Sequence, residues 1–144
     1  MAFVGETCTK RYLFTDETIS DVAMRLGDSN PAHHDPEMAA RTRFGGLIAS
    51  AGHSTGIFVS LLAEYFTQKG EAYGLEFEYK LKRAVPSGLN AILTWRIVAI
   101  EPARKLGGDI VKLEGELTGE DGRVYIEGKG ALLLIEKTEK TAIV

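Results

Sequence analysis

The stretch Ser50-Ala51-Gly52-His53-Ser54-Thr55-Gly56-Ile57-Phe58-Val59-Ser60-Leu61-Leu62-Ala63-Glu64-Tyr65-Phe66-Thr67-Gln68 reads as one long helix, with Gly70 as its C-terminal stop. Its apolar residues Ile57, Phe58, Leu61, Leu62, Tyr65 and Phe66 spread over much of the circumference, and a helix apolar on most sides is a buried one. Gly52 and Gly56, four apart on one face, weaken the helix but let another backbone or a ligand come close; close packing is the simpler reading.

Downstream of this helix the period changes. Leu75, Phe77, Tyr79 and Leu81 alternate with Glu76, Glu78, Lys80 and Lys82, the pattern of a strand with one buried face, and Pro86-Ser87-Gly88 ends it. Leu89 to Ile100 and Ile110 to Leu117 are further strand candidates. Glu120-Asp121-Gly122-Arg123 supplies Asp-Gly turn chemistry before Val124 to Ile135, so the last two strands should form a hairpin. One long buried helix and a meander of long antiparallel strands predict an α+β chain in which a sheet curls around a helix.

Upstream, Glu6 to Phe14 alternates weakly as an opening strand. Ile19, Val22, Ala23 and Leu26 then recur at helical spacing, with Thr15 as cap, Asp16 and Glu17 in the first turn and Gly27 as the stop. Asp35-Pro36-Glu37 has the cap and first-turn proline of a second, brief helix running to about Thr42. Between the two lies Gly27-Asp28-Ser29-Asn30-Pro31-Ala32-His33-His34-Asp35. Pro31 fixes its own φ and keeps Asn30 out of the helical region, so this is a stiff, non-helical turn.

The 144 residues, 44% hydrophobic, are expected to form a single domain, 1–144, burying roughly two-thirds of the surface of the unfolded chain. With 17 basic and 20 acidic side chains the formal charge is −3, without blocks of like charge, so neither a nucleic-acid nor an anionic-membrane partner is suggested. The single cysteine, Cys8, cannot form an internal disulfide and reads as an inert buried thiol. The three histidines lack metal-site spacing, and consecutive His33 and His34 should diverge, so no metal is expected. There is neither a basic-then-apolar leader pattern nor an apolar run near the ~18 residues of a membrane span. A soluble, unprocessed, cytoplasmic protein is the expectation.

Asp28 and His33 are the candidates for acid/base work, a carboxylate and an imidazole that could share and ionise one water. The competing reading makes Asp28, Ser29 and Asn30 turn residues and His33 a loop histidine with a backbone partner. The second element is Phe44-Gly45-Gly46-Leu47-Ile48-Ala49-Ser50-Ala51-Gly52-His53, a loop feeding the buried helix. Its free N–H groups near Ala51 and Gly52, at the positive end of the helix dipole, can hold a carbonyl oxygen as it gains charge; an ordinary capped helix after a Gly45-Gly46 hinge is the alternative. His53, in the first helical turn, could orient a neighbour or contact substrate; a packed histidine bonded to a backbone carbonyl is the simpler reading. Ser50 and Ser54 lack the Gly-x-Ser-x-Gly context of a serine hydrolase.

Gly27-Asp28-Ser29-Asn30-Pro31-Ala32-His33, Asp35-Pro36 and Phe44-Gly45-Gly46-Leu47-Ile48-Ala49-Ser50 together resemble the MaoC-like dehydratases and (R)-specific enoyl-CoA hydratases of the hot dog fold. The resemblance implies a long central helix wrapped by a curved antiparallel sheet, a homodimer or dimer of dimers, and no cofactor. It implies a hydro-lyase adding water across the 2,3 double bond of an acyl-CoA, or acyl-carrier-protein, enoyl thioester to give the (R)-3-hydroxyacyl product, or the reverse. Asp28 and His33 would be the catalytic pair, Asn30 would brace the turn, and Ser50, Ala51 and Gly52 would meet the thioester, its oxygen on the Ala51 N–H. The chain departs from the family at Ser50-Ala51, where many hydratases have His-Gly, and at Leu89, where a strand-joining turn commonly carries Asp. Alanine keeps the N–H but gives up positive φ. A hot dog thioesterase and a non-catalytic acyl-thioester binding module are the alternative functions.

Overall fold

The computed structural model describes residues 1–137. Five strands, β1 (Thr7–Leu13), β2 (Gly70–Leu81), β3 (Asn90–Ala103), β4 (Gly108–Thr118) and β5 (Val124–Glu136), form one antiparallel sheet in the order β1-β3-β4-β5-β2. Three helices precede or interrupt it: α1 (Asp16–Arg25), α2 (Pro36–Ala40) and α3 (Ala51–Phe66). The helix α3 touches both edge strands, β1 and β2, as well as interior β3, so the sheet wraps around it. No helix among the described residues is long and apolar enough to cross a membrane.

The wrapping is visible in the core. Trp95 of β3 stacks on Phe58 of α3, with ring centroids 4.3 Å apart and planes 16° apart, and its Nε1–H donates to the Phe58 carbonyl at 2.9 Å. Beneath the stack, Gly115 and Gly128 face each other on β4 and β5. A Cβ at Gly128 would lie 2.7 Å from Phe58 and 2.8 Å from Trp95, so the absence of side chains there is what lets α3 approach the sheet.

Three elements differ from the sequence reading. First, Gly70 is not a helix stop: α3 ends at Phe66 with Thr67 as a right-handed cap, and Gly70 opens β2, where a Cβ would collide with the Ile135 carbonyl. Second, β2 has no uniformly buried face. Leu75 is the extra residue of a β-bulge between Gly74 and Glu76 and is 50% exposed; Ala72 turns inward before the bulge, Phe77 and Tyr79 after it. Third, α3 is not covered on most sides, for Ser60, Ala63 and Glu64 are exposed while His53, Ser54, Phe58, Leu61, Leu62 and Phe66 are buried. Of the glycine pair on that helix, Gly52 meets the Leu26 side chain and Gly56 meets nothing within 4 Å.

The C-terminal end of α3 is fixed by a buried carboxylate. Glu6, 8% exposed, accepts from the Tyr65 hydroxyl, from Lys69 Nζ at 2.9 Å and from the Phe3 amide at 3.1 Å. Burial opposes its charge, but these three partners outweigh burial and hold its pKa below the usual glutamate range. A depressed folded pKa contributes stability above the unfolded value and loses it as pH falls through the folded one. Thermal midpoints measured against pH should therefore fall through the acid range in the wild type, and that acid component should be missing in Glu6→Gln.

Candidate functional site

Positioning of the first half begins at the end of α1. Thr15 caps this helix in a reciprocal box with Thr18, and Gly27, at φ 76, reverses the chain so that the Asp28 amide donates back to the Ala23 carbonyl at 2.9 Å. Asp28 then organises its own turn. Its Oδ1 accepts from the Asn30 amide at 3.1 Å, while Asn30 Oδ1 accepts from the Ala32 amide at 3.1 Å and caps the single 3-10 turn Pro31–His33. The proline and two short side chains thereby set where His33 emerges.

His33 is buried, and its two ring nitrogens have different surroundings. Nδ1 lies 2.7 Å from the Ile48 carbonyl, which only accepts, so Nδ1 carries the hydrogen. Nε2 lies 3.4 Å from Asp28 Oδ2, and the Asp28 side chain is 39% exposed. In neutral imidazole Nε2 is then a lone pair facing a carboxylate, two acceptors that need hydrogen from a third group. One water donating a hydrogen to each satisfies both.

His34 diverges from His33 and serves the same turn. Its Nε2–H donates to the Asp28 carbonyl at 2.7 Å, and its Nδ1 accepts from Ser20 Oγ at 2.8 Å, tying the turn to α1. The 14-residue separation of Ser20 and His34 has no periodic signal, so the sequence does not reveal this brace. His34→Ala should lower unfolding stability by about 1–3 kcal/mol, read from urea denaturation, because it leaves the Asp28 carbonyl without its donor.

The second half is the start of α3. Ile48 pairs with Pro86 as an isolated bridge, the Ala49 amide donates to Val85 and the Ser87 amide to Leu47, so the loop after β2 clamps the entry to the helix. Ser50 is 1% exposed and its hydroxyl is committed to the cap, accepting from the His53 amide at 3.2 Å. Ala51 and Gly52 are exposed, and their amides take no partner among the described residues. No non-glycine residue among the described residues has positive φ, so Ala51 starts the helix without the conformation that alanine disfavours. Leu89 packs against the core, and the turn it occupies exchanges backbone bonds with Phe14.

Beneath Ala51, buried His53 bonds through Nε2 to the Tyr12 hydroxyl at 2.9 Å and packs edge-on to Phe14. Burial first and His33 second push its pKa down, so it stays neutral when other imidazoles charge, as suits a side chain at the positive end of a helix. Cys8 is also buried, which pushes its thiol up to about 11 and leaves it a poor nucleophile. A depression of about 290 Å³, lined by residues including Lys80, Arg96, Glu114 and Lys129, lies on the opposite face of the sheet and includes none of the sequence-predicted site residues.

The model of the MaoC like domain family matches residues 7–88, more than half of the chain. The (R)-hydratase from Pseudomonas aeruginosa in its unliganded form superposes with a TM-score of 0.85 at 19% identity, covering 94% of this chain and 84% of that one. The (R)-hydratase from A. caviae involved in PHA biosynthesis gives 0.82 at 22%, covering 92% and 97%. A MaoC-like dehydratase from Rhodospirillum rubrum gives 0.81 at 22%, covering 95% of each. No curated protein matches in sequence. These superpositions identify the sheet wrapped on α3 as the hot dog fold.

Proposed function

Since the chain belongs to the MaoC-like domain family, we propose that it is a hydro-lyase that adds water to a trans-2-enoyl-CoA to give the (R)-3-hydroxyacyl-CoA, or removes it. The observation that carries this reading is the 3.4 Å separation of Asp28 Oδ2 and His33 Nε2, with Nδ1 engaged by the Ile48 carbonyl. A water between the two acceptors gives one proton to the pair as its oxygen bonds to the β-carbon. The pair returns a proton to the α-carbon, so the atoms of water are conserved in the product. The thioester oxygen, which gains charge as the enolate forms, rests on the Ala51 amide, with Gly52 beside it and buried Ser50 fixing the turn that presents both. Asn30 holds the turn between the two reacting side chains.

The names of the superposed (R)-hydratases support the reaction type, hydration with (R) stereochemistry. We further propose a homodimer or dimer of dimers, supported by the exposed Tyr73, Leu75 and Leu81 on edge strand β2. The test is purified protein with a panel of short and medium enoyl-CoAs: consumption of the enoyl thioester without release of free thiol is expected. Thiol release would instead identify a thioesterase, a reading favoured by the carboxylate beside a helix start. Thermal stabilisation by acyl-CoA without turnover would identify a binding module.

A further inference from the structure

Asp28 meets both of the consecutive histidines that follow it. His33 faces its side chain, with Nε2 3.4 Å from Oδ2, while His34 faces its backbone, with Nε2 2.7 Å from the carbonyl. The two rings stand 6.4 Å apart with planes at 76°, one reaching the Ile48 carbonyl at the entry to α3 and the other reaching Ser20 on α1. Three bonds thus fix Asp28 and leave Oδ2 for chemistry: its amide donates to Ala23, its carbonyl accepts from His34 and its Oδ1 accepts from the Asn30 amide. Only His34 supplies its share of this anchoring through a side chain of its own.

The carbonyl is the critical anchor because the peptide after Asp28 lies inside the ring that the Oδ1 to Asn30 bond closes. Its direction sets ψ of Asp28, and with it where both carboxylate oxygens stand relative to His33. The Asp28 side chain is 39% exposed, so packing alone does not hold it. Ser20 completes the device: its hydroxyl, 2.8 Å from His34 Nδ1, donates there and leaves the ring hydrogen on Nε2, where the carbonyl, an acceptor only, requires it. Both nitrogens of His34 are spent in this brace, so it has none left for a water or a thioester.

Resting on the hydro-lyase reading above, we propose that His34 is a positioning residue for the reaction: through the Asp28 carbonyl it aims Oδ2 at the water shared with His33, and Ser20 sets the tautomer that lets it do so. The test compares wild type with His34→Ala, His34→Gln and Ser20→Ala in steady-state hydration of an enoyl-CoA. His34→Ala should lose about 10- to 100-fold in kcat with KM within about twofold of wild type, the cost of a reacting group that is present but misplaced. His34→Gln puts an amide NH₂ near the Nε2 position and should recover kcat to within about threefold of wild type. Ser20→Ala, which leaves His34 in place without its tautomer partner, should lose at least about threefold. Added to Asp28→Asn, His34→Ala should cost less than about a further twofold, since it acts through a carboxylate already removed. Exchange of the Asn30 amide should quicken at least about tenfold in His34→Ala, stay unchanged in His34→Gln, and leave the amides of α3 unaffected.

A kcat for His34→Ala within about twofold of wild type overturns the proposal. So does a loss that carries over in full onto Asp28→Asn, a failure of glutamine to restore kcat, or unchanged exchange at Asn30. Were His34→Ala unfolded, Ser20→Ala would carry the same comparisons, and wild-type values for its kcat and Asn30 exchange would overturn the proposal. If the wild type consumed no enoyl thioester, the hydro-lyase reading would fail, and the Asn30 exchange would still decide whether His34 holds Asp28.

Discussion

Asp28→Asn is expected to lower kcat/KM for enoyl-CoA hydration by on the order of 10³-fold while leaving the fold in place. The turn dictates how the new amide sits. Oδ1 of residue 28 accepts from the Asn30 amide, so the carboxamide keeps its oxygen there and turns its NH₂ toward His33. That NH₂ would donate into the Nε2 lone pair, occupying the acceptor that a water needs and removing the carboxylate charge. Because the change is isosteric and the turn bonds survive, the urea midpoint should move little. Steady-state kinetics on an enoyl-CoA together with that midpoint provide the check; full activity in Asp28→Asn would sink the proposed chemistry.

A proline at position 51 tests the other half of the site with little disturbance to the helix. Ala51 is the first residue of α3, the one helical position where the missing N–H removes no helical bond and proline's φ is suitable. Ser50 precedes it at φ −66 and ψ 155, the extended conformation that a following proline demands. Ala51→Pro therefore deletes one unpartnered amide and little else. Loss of a donor to a developing oxyanion typically costs about 10²–10³ in kcat, so a fall of that size is expected. The helical circular dichroism and unfolding midpoint should stay near wild type. A kcat within a factor of about two of wild type would place the thioester oxygen elsewhere.

Much of this architecture is legible in the residues. Thr15, Gly27, Asp35 and Ser50 act through their own local backbone, so their capping and turning roles follow from residue type and spacing. The Asp28 turn is legible for the same reason, with proline and short side chains acting within five residues. What is hidden depends on distant partners. Alternation shows which residues share a face only while register is kept, and the bulge at Leu75 shifts that register within a single apolar pattern. Leu26 has helical spacing with Ile19 and Ala23, yet lies exposed over Gly52 because α3 has no side chain there. The pairing of Tyr12 with His53 and the Ser20–His34–Asp28 brace join segments whose meeting only the fold decides.

The two halves of the site differ in what each relies on. Asp28 and His33 are held by bonds spanning at most 15 residues, from Ala23 through Ile48. The entry to α3 relies on Val85, Pro86 and Ser87, more than 30 residues away, beyond the whole of β2. An opening fluctuation of the 85–87 segment therefore frees the Ala49 and Ser87 amides and, through the Ile48–Pro86 bridge, loosens the carbonyl that holds His33, while the Asp28 turn keeps its own bonds. Hydrogen exchange would show this as the Ala49 and Ser87 amides exchanging ahead of the Asp28, Asn30 and Ala32 amides, so the start of α3 opens before the turn that carries Asp28.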